Sequence, residues 1–119
     1  MEHEEEDLQI KCVKWFSLQY NKLALLLHHS PNGGKRTLFE AKRFKEMGTR
    51  KGFPDLGLFF PNAKYHGLFI EMKSKKGVQR ASQKQMQSLL EMAGYRYEIV
   101  RTFEGFVDCI RRYLRSSDV

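Results

Sequence analysis

The chain has 119 residues, 41% hydrophobic and 29% charged, which is enough for one folded core and too little for two. Lys and Arg number 21 against 14 Asp and Glu, and the formal charge of +7 points to a polyanionic partner, nucleic acid or an anionic surface. No apolar run approaches the roughly 20 residues of a bilayer span, and the acidic start MEHEEEDLQ is unlike a secretory or transit signal, so a cytoplasmic protein without a membrane partner is expected.

From about Glu4 to Tyr20 apolar residues recur at helical spacing, with Leu8, Cys12 and Trp15 on one side and Val13, Phe16 and Tyr20 beside them. Glu5 and Gln9 fall one turn apart on the stripe of Cys12 and Phe16. An acid there either faces inward or supports the helix dipole, and periodicity leaves Glu5 and Glu6 both open. LALLLHHS, Leu23 to Ser30, reads as a strand closed by the turn sequence PNGG. TLFEAKRFKEM sets Leu38, Ala41 and Phe44 or Lys45 in helical register, with Gly48 as the stop.

After the basic loop GTRKGFP, DLGLFF and YHGLFIEMKS read as an antiparallel hairpin joined by PNAK. Ser82 can cap a helix from about Gln83 to Ala93, which Gly94 ends. YRYEIVR alternates as a strand with Tyr95, Tyr97 and Ile99 on one face, and Thr102 caps a last helix carrying Phe106, Ile110 and Tyr113. Cys12 and Cys109, isolated within amphipathic patterns, read as small buried hydrophobes, not as a disulfide or a zinc site. The order α-β-α-β-β-α-β-α describes one α/β domain over residues 1–119, a central mixed sheet flanked by helices.

Folding the hairpin about PNAK returns Asp55, at the start of its first strand, to the end of the second, near Glu71 to Lys73. Alternation sets Glu71 and Lys73 on one face and Met72 on the other. Pro54 suits a strand's first position, where no ladder donor is needed. Two carboxylates so placed repel, and a hard divalent cation relieves them. Lys73 then meets a phosphate or steers the attacking water. The same residues also fit a plainer arrangement, in which Asp55 starts a turn and Glu71 pairs with Lys73 on an exposed strand. The acidic first helix argues against it.

The basic residues cluster beside this edge: Lys35, Arg36, Arg50 and Lys51 precede the hairpin, and Lys75, Lys76 and Arg80 follow it. They suit phosphate tracking, whereas Lys42 and Lys45 read as a solvated face. The glycines of PNGGKR either admit a phosphate to the backbone or simply turn the chain. Without a helix rich in base-reading side chains, shape recognition is expected over sequence recognition. His28, His29 and His66 lack metal-ligand spacing and read as structural or phosphate-adjacent.

Glu5, Gln9, HSPNGGKR, KGFPDLGLF, GLFIEMKSKKG, ASQKQ and GYRYEIVRTFEGF together resemble, in order and over nearly the whole chain, the VRR-NUC family. These are the virus-type replication-repair nucleases of the PD-(D/E)XK superfamily, and the likeness is to the stand-alone, phage-encoded type. The resemblance implies a restriction-endonuclease-like core and an Mg2+- or Mn2+-dependent endonuclease acting on branched DNA such as four-way (Holliday) junctions, as a homodimer. It assigns Asp55 and Glu71 as metal ligands, Lys73 as the catalytic lysine and Glu5 as the helix-one acid. The carbonyl of Met72 becomes a further ligand, and Gln85 matches the motif glutamine, with Gln83 as its neighbour and substitute. A two-fold dimer also suits two symmetric cuts in a junction. The competing expectation is a DNA-binding module that keeps the scaffold without catalysis.

Overall fold

The computed structural model describes residues 4–31 and 37–115. In chain order these form α1 (Glu4–Gln19), a 3₁₀ helix (Asn21–Leu26), β1 (Leu27–His29), α2 (Leu38–Glu46), β2 (Leu56–Leu58), β3 (Leu68–Met72), α3 (Ala81–Met92), β4 (Arg96–Val100) and α4 (Phe103–Arg115). The four strands make one sheet in the order β1-β2-β3-β4. Its first two pairings are antiparallel and β3 runs parallel to β4. A parallel pair needs a long return, which α3 supplies. This is the α/β architecture read from the sequence.

Alternation sends Leu56, Leu58, Leu68, Ile70 and Met72 to one sheet face, where Cys12 and Phe16 of α1 and Phe106 and Ile110 of α4 cover them. Each such side chain contributes about 1.5–3 kcal/mol on leaving water. Trp15 meets Tyr20, Phe103 and Phe106 edge-on and closes the seam between α1 and α4. Cys12 and Cys109 are buried free thiols, as expected, and burial pushes both up to about 12. The opposite face carries Phe69, Glu71 and Tyr97, and α3 packs over it. Among the described residues no helix is long and apolar enough to cross a membrane.

Several boundaries differ from the sequence reading, each for a tertiary reason. LALLLHHS pairs only over Leu27–His29, because its partner β2 is itself three residues long. The preceding residues coil into the 3₁₀ helix, leaving Leu25 almost fully exposed. PNAK is the centre of a wider loop: Asn62 Oδ1 accepts the N–H groups of Lys64 and Tyr65, and Asn62 Nδ2 donates to the carbonyl of Tyr113. Tyr113 in turn donates its hydroxyl to the Phe60 carbonyl at 2.8 Å, so the loop is tied to α4 instead of extending the ladder. Ser82 is not the cap of α3. The helix starts at Ala81 after Arg80, whose N–H is taken by Gln83 Oε1 at 2.7 Å. Thr102 does cap α4, its Oγ1 accepting the N–H of Gly105 at 3.0 Å.

Helix α2 is held by a capping box between Thr37 and Glu40, yet every residue in it is exposed. Its register is helical as read, but none of its side chains joins the core. Asn32, Gly33 and Gly34 of the PNGG turn and their neighbours Lys35 and Arg36 lie outside the described residues.

Candidate active site

The antiparallel register Leu56↔Ile70, carried one residue further, sets Asp55 opposite Glu71. Buried Pro54 leads the chain in, and Asp55 Oδ2 accepts the N–H of Met72 at 2.7 Å, fixing the carboxylate across the strand end. Glu71 is only 1% exposed and Lys73 6%, with Lys73 Nζ 3.6 Å from Glu71 Oε2. The sheet edge therefore gathers the two acids and the ammonium. The exposed-strand alternative fails, since neither Glu71 nor Lys73 reaches solvent freely.

Helix α1 closes the site from the other side. Glu5 Oε2 accepts the N–H of Ser74 at 3.3 Å, just beyond Lys73. Gln9 Nε2 lies 3.0 Å from His29 Nδ1, which lies 2.9 Å from the carbonyl oxygen of Asp55. The helix thus docks its acidic first turn onto both strand ends. A cavity of about 730 Å³ opens there, walled by Glu5, Glu6, Asp55, Met72 and Lys73. Glu5 is half-buried and Glu6 exposed, and both of the acids that periodicity left open line the cavity.

The electrostatics are unbalanced. Burial pushes the Asp55 carboxyl above its ordinary value; the Met72 N–H opposes this, while Glu5 and Glu71 add to it by repulsion. Glu71 Oε1 accepts the hydroxyl of Tyr97 and the amide of Gln79, the latter at 3.3 Å. Glu71 Oε2 is buried and finds no hydrogen-bond partner among the described residues. Burial, with Glu71 beside it, pushes the Tyr97 phenol up, so that group stays a donor.

Among the described residues no three of His, Cys, Asp or Glu gather closely enough to enclose a metal ion by themselves. Magnesium does not require that, since one or two carboxylates with other oxygens and waters suffice. An orphaned buried carboxylate oxygen opposite a second, repelled carboxyl fits such a cation. All the candidate side-chain donors are hard oxygens.

A family model described as the VRR-NUC domain matches residues 1–104. The chain belongs to the VRR-NUC family. That membership makes it a nuclease-type domain, for which DNA is the substrate class. The fold is likewise similar to a solved structure described as a "VRR_NUC domain protein", at 29% identity and a TM-score of 0.83, over 95% of this chain and 89% of that one. The mixed four-stranded sheet flanked by helices is the restriction-endonuclease-like architecture. No curated protein matches the sequence.

The remaining predicted residues of this VRR-NUC domain divide by position. Lys51 and Arg80 line the cavity, where Gly52 adopts φ +83° and comes so close to Ser82 that a Cβ would lie 2.6 Å from its backbone. The basic loop is thereby pressed against the start of α3. Arg50 is exposed and donates to the Lys45 carbonyl at 3.3 Å. Lys75 and Lys76 are exposed on a loop that Arg101 clamps by donating to the carbonyls of Ser74 and Gly77 at 2.8 and 2.7 Å. Gln85 is exposed on α3 and does not line the cavity, whereas Gln83 does.

Sequence reasoning gave His29 as structural or phosphate-adjacent without joining it to Asp55, and signalled Tyr97 only by its strand face. Gln79 lies in a stretch with no periodicity at all.

Proposed function

We propose that this VRR-NUC domain is an Mg2+- or Mn2+-dependent endonuclease that hydrolyses phosphodiester bonds in branched DNA, four-way junctions included, and acts as a homodimer. The observation that carries the catalytic reading is Glu71 Oε2, buried and unsatisfied beside Lys73 and across the strands from Asp55. Burying a carboxylate oxygen that accepts no hydrogen bond is costly, and such groups concentrate at sites that receive a cation or substrate.

In this reading Asp55, Glu71 and the carbonyl of Met72 would hold the cation, with Glu5 holding one of its waters. When bound, it supplies Lewis acidity toward water and the phosphate. Lys73 lines the cavity with its ammonium beside Glu71, where it steers the nucleophile and offsets charge building on the phosphate. Met72 N–H and His29 hold Asp55 from behind. Lys51 and Arg80 meet the backbone phosphates at the cavity wall, with Arg50, Lys75 and Lys76 extending the track. Phosphate contacts of this kind position DNA without reading its sequence, which suits recognition by shape.

Helix α2 and its C-cap support the dimer, because Leu38, Phe39 and Met47 are 93%, 68% and 68% exposed. A two-fold pairing presents two sites at a fixed separation.

The test is a panel of labelled junction, flap, nicked and linear DNAs with Mg2+ or Mn2+, run beside Asp55→Ala, with sedimentation equilibrium for the oligomer. Metal-stimulated cleavage of the branched substrates, lost in the variant, is expected. Salt-sensitive binding without any nicking would instead establish the non-catalytic DNA-binding module.

A further inference from the structure

Glu71 is held asymmetrically. Oε1 accepts both Tyr97 Oη–H and Gln79 Nε2–H, and Oε2 accepts neither. Tyr97 is 4% exposed and lies opposite Phe69 in the parallel β3–β4 register, two residues before the partner of Glu71. Its phenol therefore runs along the covered sheet face to reach the carboxylate. Gln79 is oriented in its turn: its Nε2 also reaches Gln87 Oε1 at 2.9 Å, and Gln87 Nε2 donates to Glu91 Oε2 at 3.2 Å. The two hydrogens of the Gln79 amide are thus shared between Glu71 and α3.

We propose that Tyr97 and Gln79 are positioning residues, a clamp that reserves Glu71 Oε1 and presents Oε2 as the oxygen offered to a divalent cation. The inference rests on the metal-dependent reading above and adds residues to it. A carboxylate's last torsion is broad and nearly two-fold, so an unheld Glu71 exchanges its oxygens. Two donors on one oxygen break that equivalence. Partners behind a metal ligand contribute about 10- to 100-fold in metal affinity or activity in other systems.

The experiment titrates Mn2+ into the full chain by calorimetry and measures cleavage across a Mn2+ series. Tyr97→Phe keeps the ring and removes one donor; Gln79→Leu removes the other. Tyr113→Phe, which loses a phenol hydrogen bond on α4 far from the acids, is the structural control. Each clamp variant is expected to weaken Mn2+ binding by about 10-fold or more and to raise the half-maximal Mn2+ concentration by the same factor. The rate at saturating Mn2+ should largely recover, and Tyr113→Phe should bind Mn2+ as the parent does. Unchanged Mn2+ affinity in the folded clamp variants overturns the proposal, and Gln79→Leu decides alone if Tyr97→Phe does not fold. A parent chain that binds no Mn2+ overturns the metal-dependent reading and the clamp together. A parent that binds while the variants bind equally removes only the clamp.

Discussion

Glu71 and Glu98 sit on adjacent parallel strands and face opposite sides of the sheet, and their surroundings differ completely. Arg112 donates to both oxygens of Glu98 at 3.0 Å each, and Arg96 adds a third contact at 3.2 Å. Although burial pushes the Glu98 carboxyl up, the Arg112 and Arg96 guanidiniums hold it below its ordinary 4.5. Glu71 has one oxygen accepting two hydrogen bonds and the other none, and Lys73, its ion-pair partner among the described residues, lies 3.6 Å away. A charge completed by bidentate arginine is part of the architecture; one left incomplete inside the protein is the feature on which the metal-dependent reading rests.

The strongest way to break this contrast is to neutralise Glu71. Glu71→Gln is expected to lower cleavage on the order of 10³-fold while leaving the melting temperature of the metal-free protein unchanged or higher. Cleavage by Glu71→Gln at the parent rate would remove Glu71 from the site. Glu98→Gln should do the reverse: a destabilisation of about 1 kcal/mol in urea, reduced because Arg112 and Arg96 are well exposed, with Mn2+-dependent cleavage retained.

Acid titration of the metal-free protein sharpens the comparison. The native Glu98 carboxyl lies below its unfolded value of 4.5, so its contribution is present above 4.5 and is lost as pH falls through the native value. The native Asp55 carboxyl lies above its unfolded value of 3.8, so its contribution is full below 3.8 and is lost as pH rises through the native value. Thermal melts across this range should lose their acid-side fall in Glu98→Gln, whereas Asp55→Asn should lose the decline on raising pH. Mn2+ should stabilise the parent more at neutral pH than in acid, because proton and cation compete for one carboxyl. The smallest effect concerns the cavity wall. Lys51→Ala should weaken DNA binding uniformly across sequences and reduce the slope of log affinity against log salt by about 1.

How much of this was legible differs from residue to residue. Asp55, Glu71 and Lys73 were readable because a hairpin is local: period-two alternation and one turn suffice to bring them together. Glu5 was readable to within a residue, since 3.6-residue periodicity names a stripe and not an atom. Tyr97 and Gln79 were not readable as partners of Glu71. One depends on the register of a parallel pair formed across a helical crossover, and the other lies in an aperiodic stretch whose path is set by Arg101 and the start of α3.

From the sequence alone came the order of elements, the identity of the apolar face and the pairing of acids with a lysine at one strand edge, because each follows from short-range periodicity and turn chemistry. The tertiary structure alone decided that the first half of LALLLHHS coils as a 3₁₀ helix, that Gln85 faces solvent, and that one oxygen of Glu71 is held while the other is left open. Those outcomes depend on which distant groups meet, and pairing across long stretches of chain is set by packing of the whole sheet and its helices rather than by any local preference.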